Sequence, residues 1–483
     1  MHYKAIIKTI AILQVIIAAF HLLCGGLAVW FHEFNATHSF FISGSLLISV
    51  GAVALYFLKD EKPKNLSTKD GFLLVTASWV AAVLIGALPY HISGVVPTYA
   101  DAVFETISGF STTGATIMTD VEALPRSILF WRSLTHWLGG MGIVVLAVAV
   151  LPLLGIGGMQ LIQAEAPGPT VDKLTPRITE TAKYLWFIYL FFTAAEATLL
   201  MLGGMSLFDS LNHTFATVAT GGFGTKNTSV QHYNSAYIDY VITVFMLLSG
   251  VNFSLHFRFM TGNLKPLFSD SEFKTYLSIV AISTLIITFS LTRTVYNDFM
   301  TSFRYASFQV ASFITTTGFA TDDYERWPAV AQIVLFLLMF VGGCSGSTGG
   351  GIKVIRIITL LKQGLNEMKY LVHPRAVFAL RINGQPVKKN IVYAISGFFF
   401  LYITTALIVT VIVSTSGVDI ITAFTAALTT LGNIGPGFGL IGPTENFAFF
   451  PEYVKWVLSA AMLIGRLEIY TVIVLFTPMF WRK

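Results

Sequence analysis

Ten long apolar runs constrain this chain more than any other feature. They fall near residues 5–30, 39–58, 71–94, 127–154, 183–205, 237–260, 274–297, 329–341, 391–416 and 453–480. All but 329–341 can cross the roughly 30 Å of bilayer hydrocarbon as a helix. That run continues through a Gly-rich stretch, 342–351, into 352–361, and reads as one helix interrupted in the middle. Charged residues make up only 11% of the 483, against roughly 25% in soluble domains. So few charges cannot cover a water-facing surface of this size. The 54% hydrophobic content excludes a disordered chain. The chain is expected to be an all-α polytopic membrane protein with ten spans.

Lys4 and Lys8 precede the first run, as in a signal peptide, but no small-x-small cleavage site follows, so an uncleaved first helix is expected. Cys24 and Cys344 are the only cysteines, which implies no disulfide framework. With a cytoplasmic N-terminus, 22 of the 30 Lys and Arg fall inside and 7 outside, with Arg466 left within a span. That split predicts both termini in the cytoplasm. Of the 25 acids, 14 fall outside. Such a face concentrates cations, and it is also the plain complement of the positive-inside rule.

Four shorter Thr- and Gly-rich segments superpose: 98–116, 206–225, 302–321 and 419–439. Each runs about a dozen fairly apolar residues, too few to span. Their ends read Thr112-Thr113-Gly114, Thr220-Gly221-Gly222, Thr316-Thr317-Gly318 and Asn433-Ile434-Gly435. Sixteen residues before each final glycine stand Thr98, Ser206, Ser302 and Asp419, all good N-caps. Asp101 and Asp209 follow the first two by three residues, as in a capping box. The unit is therefore helix, half-length pore helix, extended segment, helix. Four such pseudo-symmetric repeats are expected around one central pore, after two extra N-terminal helices.

Extended backbone at membrane depth is tolerated only where it lines water or is buried in protein. Four such segments around one axis offer carbonyl oxygens that can replace the hydration shell of a monovalent cation. Glycine permits the backbone angles that turn successive carbonyls inward. The twelve residues just named are thus the candidate ion-binding filter. No Asp or Glu stands at the glycine positions, which argues against a divalent-cation filter.

Below the third segment lies Gly342, Gly343, Cys344, Ser345, Gly346, Ser347, Thr348, Gly349, Gly350 and Gly351. Each Gly in a helix interior costs roughly 1 kcal/mol relative to Ala, so this stretch should unwind. It is read as an intramembrane gate. Lys353 either marks the cytoplasmic helix end or faces that gate. Arg466 lies deep in the last span, where a charge normally faces a cavity or a partner. The favoured reading is an electrostatic barrier in the pore, and the alternative is an ion pair with Glu468 or Glu196. His136 reads as a packed interfacial residue rather than a proton relay. No catalytic constellation, metal-ligand set or nucleotide-binding loop is apparent, so an enzyme is the weakest reading.

The four repeats, the run Gly-Gly-Cys-Ser-Gly-Ser-Thr-Gly-Gly-Gly-Ile-Lys at 342–353, Gly-Arg-Leu-Glu at 465–468, Trp137–Gly142 and Gln163–Pro169 resemble the TrkH/TrkG family of bacterial Trk potassium uptake systems, in the superfamily with KtrB and plant HKT transporters. The resemblance covers essentially the whole chain. It implies potassium as the transported ion, with no covalent cofactor. It implies a homodimer in the bacterial inner membrane, in contact with lipid and not with nucleic acid. It implies a cytoplasmic TrkA-type subunit that binds nucleotide and controls the gate. Gly114, Gly222, Gly318 and Gly435 would be the filter glycines, and Gly114 matches the potassium type rather than the Ser found in sodium-transporting HKT proteins. The implied units are 1–66, two extra helices; 67–156, repeat 1; 157–265, repeat 2; 266–385, repeat 3 with the gate; and 386–483, repeat 4. The fourth segment lacks the Thr of the others, so discrimination of potassium from sodium is expected to be modest. Competing readings are a sodium- or proton-coupled symport of the same family, and a less selective potassium/sodium pathway.

Overall fold

The structure is a computed structural model and describes residues 1–59, 67–142, 178–263 and 265–482. Helices α1 (Tyr3–Trp30) and α2 (Phe34–Phe57) form an antiparallel pair that leans on α3 and α5. Repeat 1 holds α3 (Thr68–Gly86), the half-length α4 (Tyr99–Phe110) and α5 (Arg126–Gly140). Repeat 2 holds α6 (Ile178–Leu202), the half-length α7 (Leu207–Ala219), α8 (Ala236–Ser249) and α9 (Phe253–Met260). Repeat 3 holds α10 (Ser271–Thr294), α11 (Phe299–Ile314), α12 (Ala329–Leu338) and α13 (Val354–Val372). Repeat 4 holds α14 (Lys389–Ser414), α15 (Ile420–Gly432) and α16 (Glu452–Arg466). One two-stranded hairpin, Arg381–Ile382 with Gln385–Pro386, joins repeats 3 and 4.

Six of the described helices are long and apolar enough to cross a membrane, or eight if two sharply bent pairs each count as one span. The repeats close on themselves. The closing helix of repeat 4, α16, packs on the pore helix α4 of repeat 1. Likewise α5 packs on α7, and α8 on α11. Phe336 of α12 meets Phe424 of α15 at 6.1 Å between ring centres, which completes the circuit. The first pore helix is buried along almost its whole length, and the other three are exposed at their N-terminal ends and mostly buried toward their C-terminal ends.

Sequence and structure differ in three places. The third pore helix starts one turn earlier than expected. Asp298, not Ser302, is its N-cap and accepts the Thr301 N–H at 2.7 Å. Ser302 lies inside the helix and donates to the Asp298 carbonyl. The other three caps, Thr98, Ser206 and Asp419, stand as read. The runs 237–260 and 453–480 are not straight spans: they bend by 99° and 111°. In the first, the Gly250 carbonyl is taken by Cys344 N–H and Phe253 N–H turns to the Gly346 carbonyl. In the second, Glu468 and Ile469 adopt φ of +57° and +56°, which no helix permits. The span 127–154 is described only as far as Gly142, and the Gln163–Pro169 motif lies outside the described residues.

Candidate functional site

Each pore helix ends in the same way. Thr112, Thr220, Thr316 and Asn433 turn left-handed, with φ between +54° and +59°. The next residue's N–H reaches back to the carbonyl five positions earlier: Thr113 to Ser108, Gly221 to Ala216, Thr317 to Ser312 and Ile434 to Thr429, at 2.7–2.9 Å. This is the Schellman helix ending, but three of its four left-handed positions are β-branched threonines. A β-branched residue at positive φ is an outlier costing on the order of 1–3 kcal/mol. Strain of this kind clusters at functional sites, and here it recurs at equivalent points of three repeats.

Two residues on, Gly114, Gly222, Gly318 and Gly435 have φ of +82°, +82°, +84° and +99°. A Cβ on Gly114 would meet the Gly221 carbonyl oxygen, and one on Gly222 the Thr317 oxygen. One on Gly318 would meet the Ile434 oxygen, and one on Gly435 the Thr113 oxygen at 2.6 Å. The chain of contacts returns to its start. The four segments therefore form a closed ring, with each glycine lying against a carbonyl of the next segment. No backbone N–H among the described residues donates to those four carbonyls. The ring thus holds oxygen acceptors that secondary structure leaves unused.

On the side from which the pore helices enter, all four glycines line one cavity of about 90 Å³. On the other side lies a cavity of about 160 Å³ lined by Gly140, Gly350, Lys353, Gly465 and Arg466 among others. Arg466 donates to Thr112 Oγ1 at 3.1 Å, Thr348 O at 2.9 Å and Gly139 O at 2.7 Å. Glu468, one of the two alternative partners, instead pairs with Arg356. The cation therefore sits directly beneath the ring. Gly139 and Gly465 let the second helices come this close. A Cβ on Gly139 would meet the Phe110 carbonyl, and one on Gly465 the Leu431 carbonyl.

The stretch 342–351 is unwound and seated against the same ring. Gly350 N–H donates to Thr316 Oγ1 at 2.7 Å, and the Thr348 hydroxyl lies 3.1 Å from the Val218 carbonyl and 3.2 Å from that of Ser249. A Cβ on Gly350 would meet Gly432 O, so only glycine fits under the fourth pore helix. Lys353 turns back to the Gly349 carbonyl and thus faces the loop. One residue that sequence reasoning passed over holds both flanks. Glu272 Oε1 accepts the Ser345 N–H at 2.8 Å and the Ile355 N–H at 3.0 Å. Its only sequence signal was an acid in the first turn of a long apolar helix.

Buried charges also brace the ring from outside. Arg132 Nε meets Glu105 Oε1 at 2.7 Å, with 2% and 0% of the two side chains exposed. Lys455 meets Asp101 at 2.6 Å. Beyond them, Asn227 ties the loops of repeats 1 and 2, donating to Asp120 and accepting from Val121 N–H. That amide holds the Asp120 carboxyl below the usual carboxylate range. The fourth segment keeps the common backbone without the threonine. Its Asn433 amide donates to Thr113 Oγ1 and Met462 O, both at 3.0 Å. Among the described residues no group of three or more His, Cys, Asp or Glu is placed to hold a metal ion.

An all-helical membrane protein with four inward half-helices converging on a ring of free carbonyls is, as a class, a transport protein for small ions. Comparison with known proteins agrees. Residues 36–483 match the family described as TrkH, cation transport protein, and the chain belongs to that family. It is 42% identical to the Trk system potassium uptake protein TrkH of Salmonella typhimurium over 100% of both chains. It is 46% identical to TrkH of Halomonas elongata over 91% of this chain and 92% of that one. The crystal structure of the potassium transporter TrkH from Vibrio parahaemolyticus covers 100% of both chains with a TM-score of 0.88 at 38% identity.

Proposed function

We propose that this chain carries potassium ions into a bacterial cell through the glycine ring, with no covalent cofactor. One observation carries the reading: four left-handed glycines interlock with four unused carbonyls into a closed ring between two cavities. Such a ring can stand in for the water around a monovalent cation. The same names on relatives of this length support potassium as the ion. Thr112, Thr113, Thr220, Gly221, Thr316, Thr317, Asn433 and Ile434 complete the filter. Arg466 is the barrier beneath it and residues 342–351 with Lys353 are the gate. The name Trk system supports further subunits, and we take these to be a TrkA-type cytoplasmic regulator that binds the nucleotide. The resemblance supports a homodimer in the inner membrane, and the Lys and Arg distribution supports cytoplasmic termini. Liposomes holding the purified protein are expected to take up rubidium tracer, with competition by potassium in excess of competition by sodium. Absence of rubidium uptake at any imposed potential, with and without the regulator, would overturn the proposal.

The gate reading makes its own prediction at Glu272. A buried carboxylate that bonds two backbone N–H groups contributes about 1.5–3 kcal/mol per bond. Glu272→Ala removes both anchors, so basal rubidium uptake without the regulator should rise severalfold. Glu272→Gln retains an acceptor oxygen and should stay near the parent rate. Equal basal uptake in all three proteins would remove Glu272 from the gate.

A further inference from the structure

Phe223 immediately follows the filter glycine of the second repeat, and its ring is packed against two side chains of one helix. The Arg132 guanidinium carbon lies 4.0 Å from the ring centre. The His136 ring lies 4.1 Å from it, stacked at 29°. Arg132 and His136 are four residues apart on α5, so both project from one helix face. His136 also holds the backbone. Phe223 N–H donates to its Nε2 at 3.1 Å. That contact leaves the ring proton on Nδ1, which donates to the Gly109 carbonyl at 2.7 Å. The imidazole thus links the end of the first pore helix to the second filter segment. It packs so closely on Gly221 that a Cβ there would fall 2.5–2.6 Å from ring atoms.

Arg132 extends the link. Besides Glu105, it donates to the Gly224 carbonyl and to Thr116 Oγ1, each at 3.2 Å. Glu105 in turn accepts from the Thr116 hydroxyl at 2.9 Å and from Ile117 N–H at 3.0 Å. The residues just after the first and second glycines are therefore tied to one buried ion pair. The other junctions lack this device. At the position of Phe223 stand Ala115, Phe319 and Pro436. Phe319 stacks at 5.8 Å on His213, and among the described residues no cation lies over its ring.

We propose that Arg132 and His136 form a clamp on Phe223 that sets the position of the second filter segment, and with it the discrimination of potassium from sodium. They are positioning residues and touch no ion. This rests on the filter reading of the ring. Selectivity by carbonyls depends on how firmly the oxygens are held apart, because a slack ring can contract around the smaller ion. The clamp supplies that firmness on one side of the ring only.

The test is the ratio of rubidium to sodium tracer uptake in liposomes. His136→Phe keeps the stacked ring and removes both hydrogen bonds. The ratio should fall roughly tenfold or more, since both buried hydrogen bonds that hold the segment are lost, with rubidium uptake retained. His136→Gln can accept from Phe223 N–H and donate to Gly109 O, so it should recover the parent ratio to within about twofold. A parent ratio in His136→Phe, or an equal fall in His136→Gln, overturns the clamp. If His136→Phe fails to insert, His136→Leu decides by the same ratio, since it also removes both hydrogen bonds; a fall supports the clamp and a parent ratio overturns it. Gly318→Ser in the same liposomes separates the two readings. If it alters uptake while His136→Phe leaves the ratio unchanged, the clamp falls and the filter stands. If neither alters uptake, the filter reading itself falls.

Discussion

Liposomes carrying the Gly318→Ser chain are expected to lose potassium-competed rubidium uptake, to below about a tenth of the parent rate. Two effects act together. A left-handed φ of +84° is costly for any residue with a Cβ, by roughly 1–2 kcal/mol. The new Cβ would also collide with the Ile434 carbonyl oxygen, and would stand 2.9 Å from Pro436 Cδ. Neither neighbour is a flexible side-chain end. The third and fourth segments must separate, and the ring opens at that junction. Gly417 separates the two effects, since its φ is also +84° but nothing lies within 4 Å of its Cβ position. Gly417→Ser carries the strain without the collision and should keep most of the uptake. Equal uptake in Gly318→Ser and the parent would remove the ring from the conduction path.

The second large effect is expected at Arg466. Arg466→Ala should raise basal rubidium uptake by on the order of tenfold. A unit charge roughly 8 Å from a permeating ion opposes it by about 2 kcal/mol at an effective dielectric of 20. Removing it lowers the barrier by that amount. The guanidinium also anchors the loop through Thr348 O and the ring through Thr112 Oγ1, so its loss frees the loop as well. Arg466→Lys tells these apart. Lysine keeps the charge but lacks the planar fork that reaches several carbonyls at once. Low uptake in Arg466→Lys assigns the barrier to charge, and raised uptake assigns it to anchoring. Reduced uptake by a well-folded Arg466→Ala protein would overturn the barrier reading altogether.

Several features of the site were legible as pattern. The cap residue sixteen positions before Gly114, Gly222 and Gly435 is a local signal, because an N-cap bonds the backbone three residues on. It failed in repeat 3, where Asp298 and Ser302 are both competent caps one turn apart. Only packing against α10 and α12 distinguishes them. The Gly-rich interruption was legible for a similar reason, since helix propensity is local. The bends at Gly250 and Glu468 were not. Their apolar runs are continuous in composition, and the helix is broken by partners far off in sequence, Cys344 and Arg356. His136 looked like a packed residue because its role depends on Gly109 and Phe223, which lie 27 and 87 positions away.

By itself the sequence determined that this chain lives in a membrane, that it repeats one unit four times, and that backbone leaves the helix at the four glycine segments and in the Gly-rich stretch. Those follow from hydropathy, length and the conformational freedom of glycine, all properties of neighbouring residues. Only the tertiary structure decided that the four segments meet. Each glycine there is shaped by a carbonyl of the next repeat, 95 to 322 positions away along the chain. The tertiary structure also put the Arg466 charge and the unwound loop under the same ring. Such contacts arise from how buried helices pack, and no local rule of residue spacing encodes them.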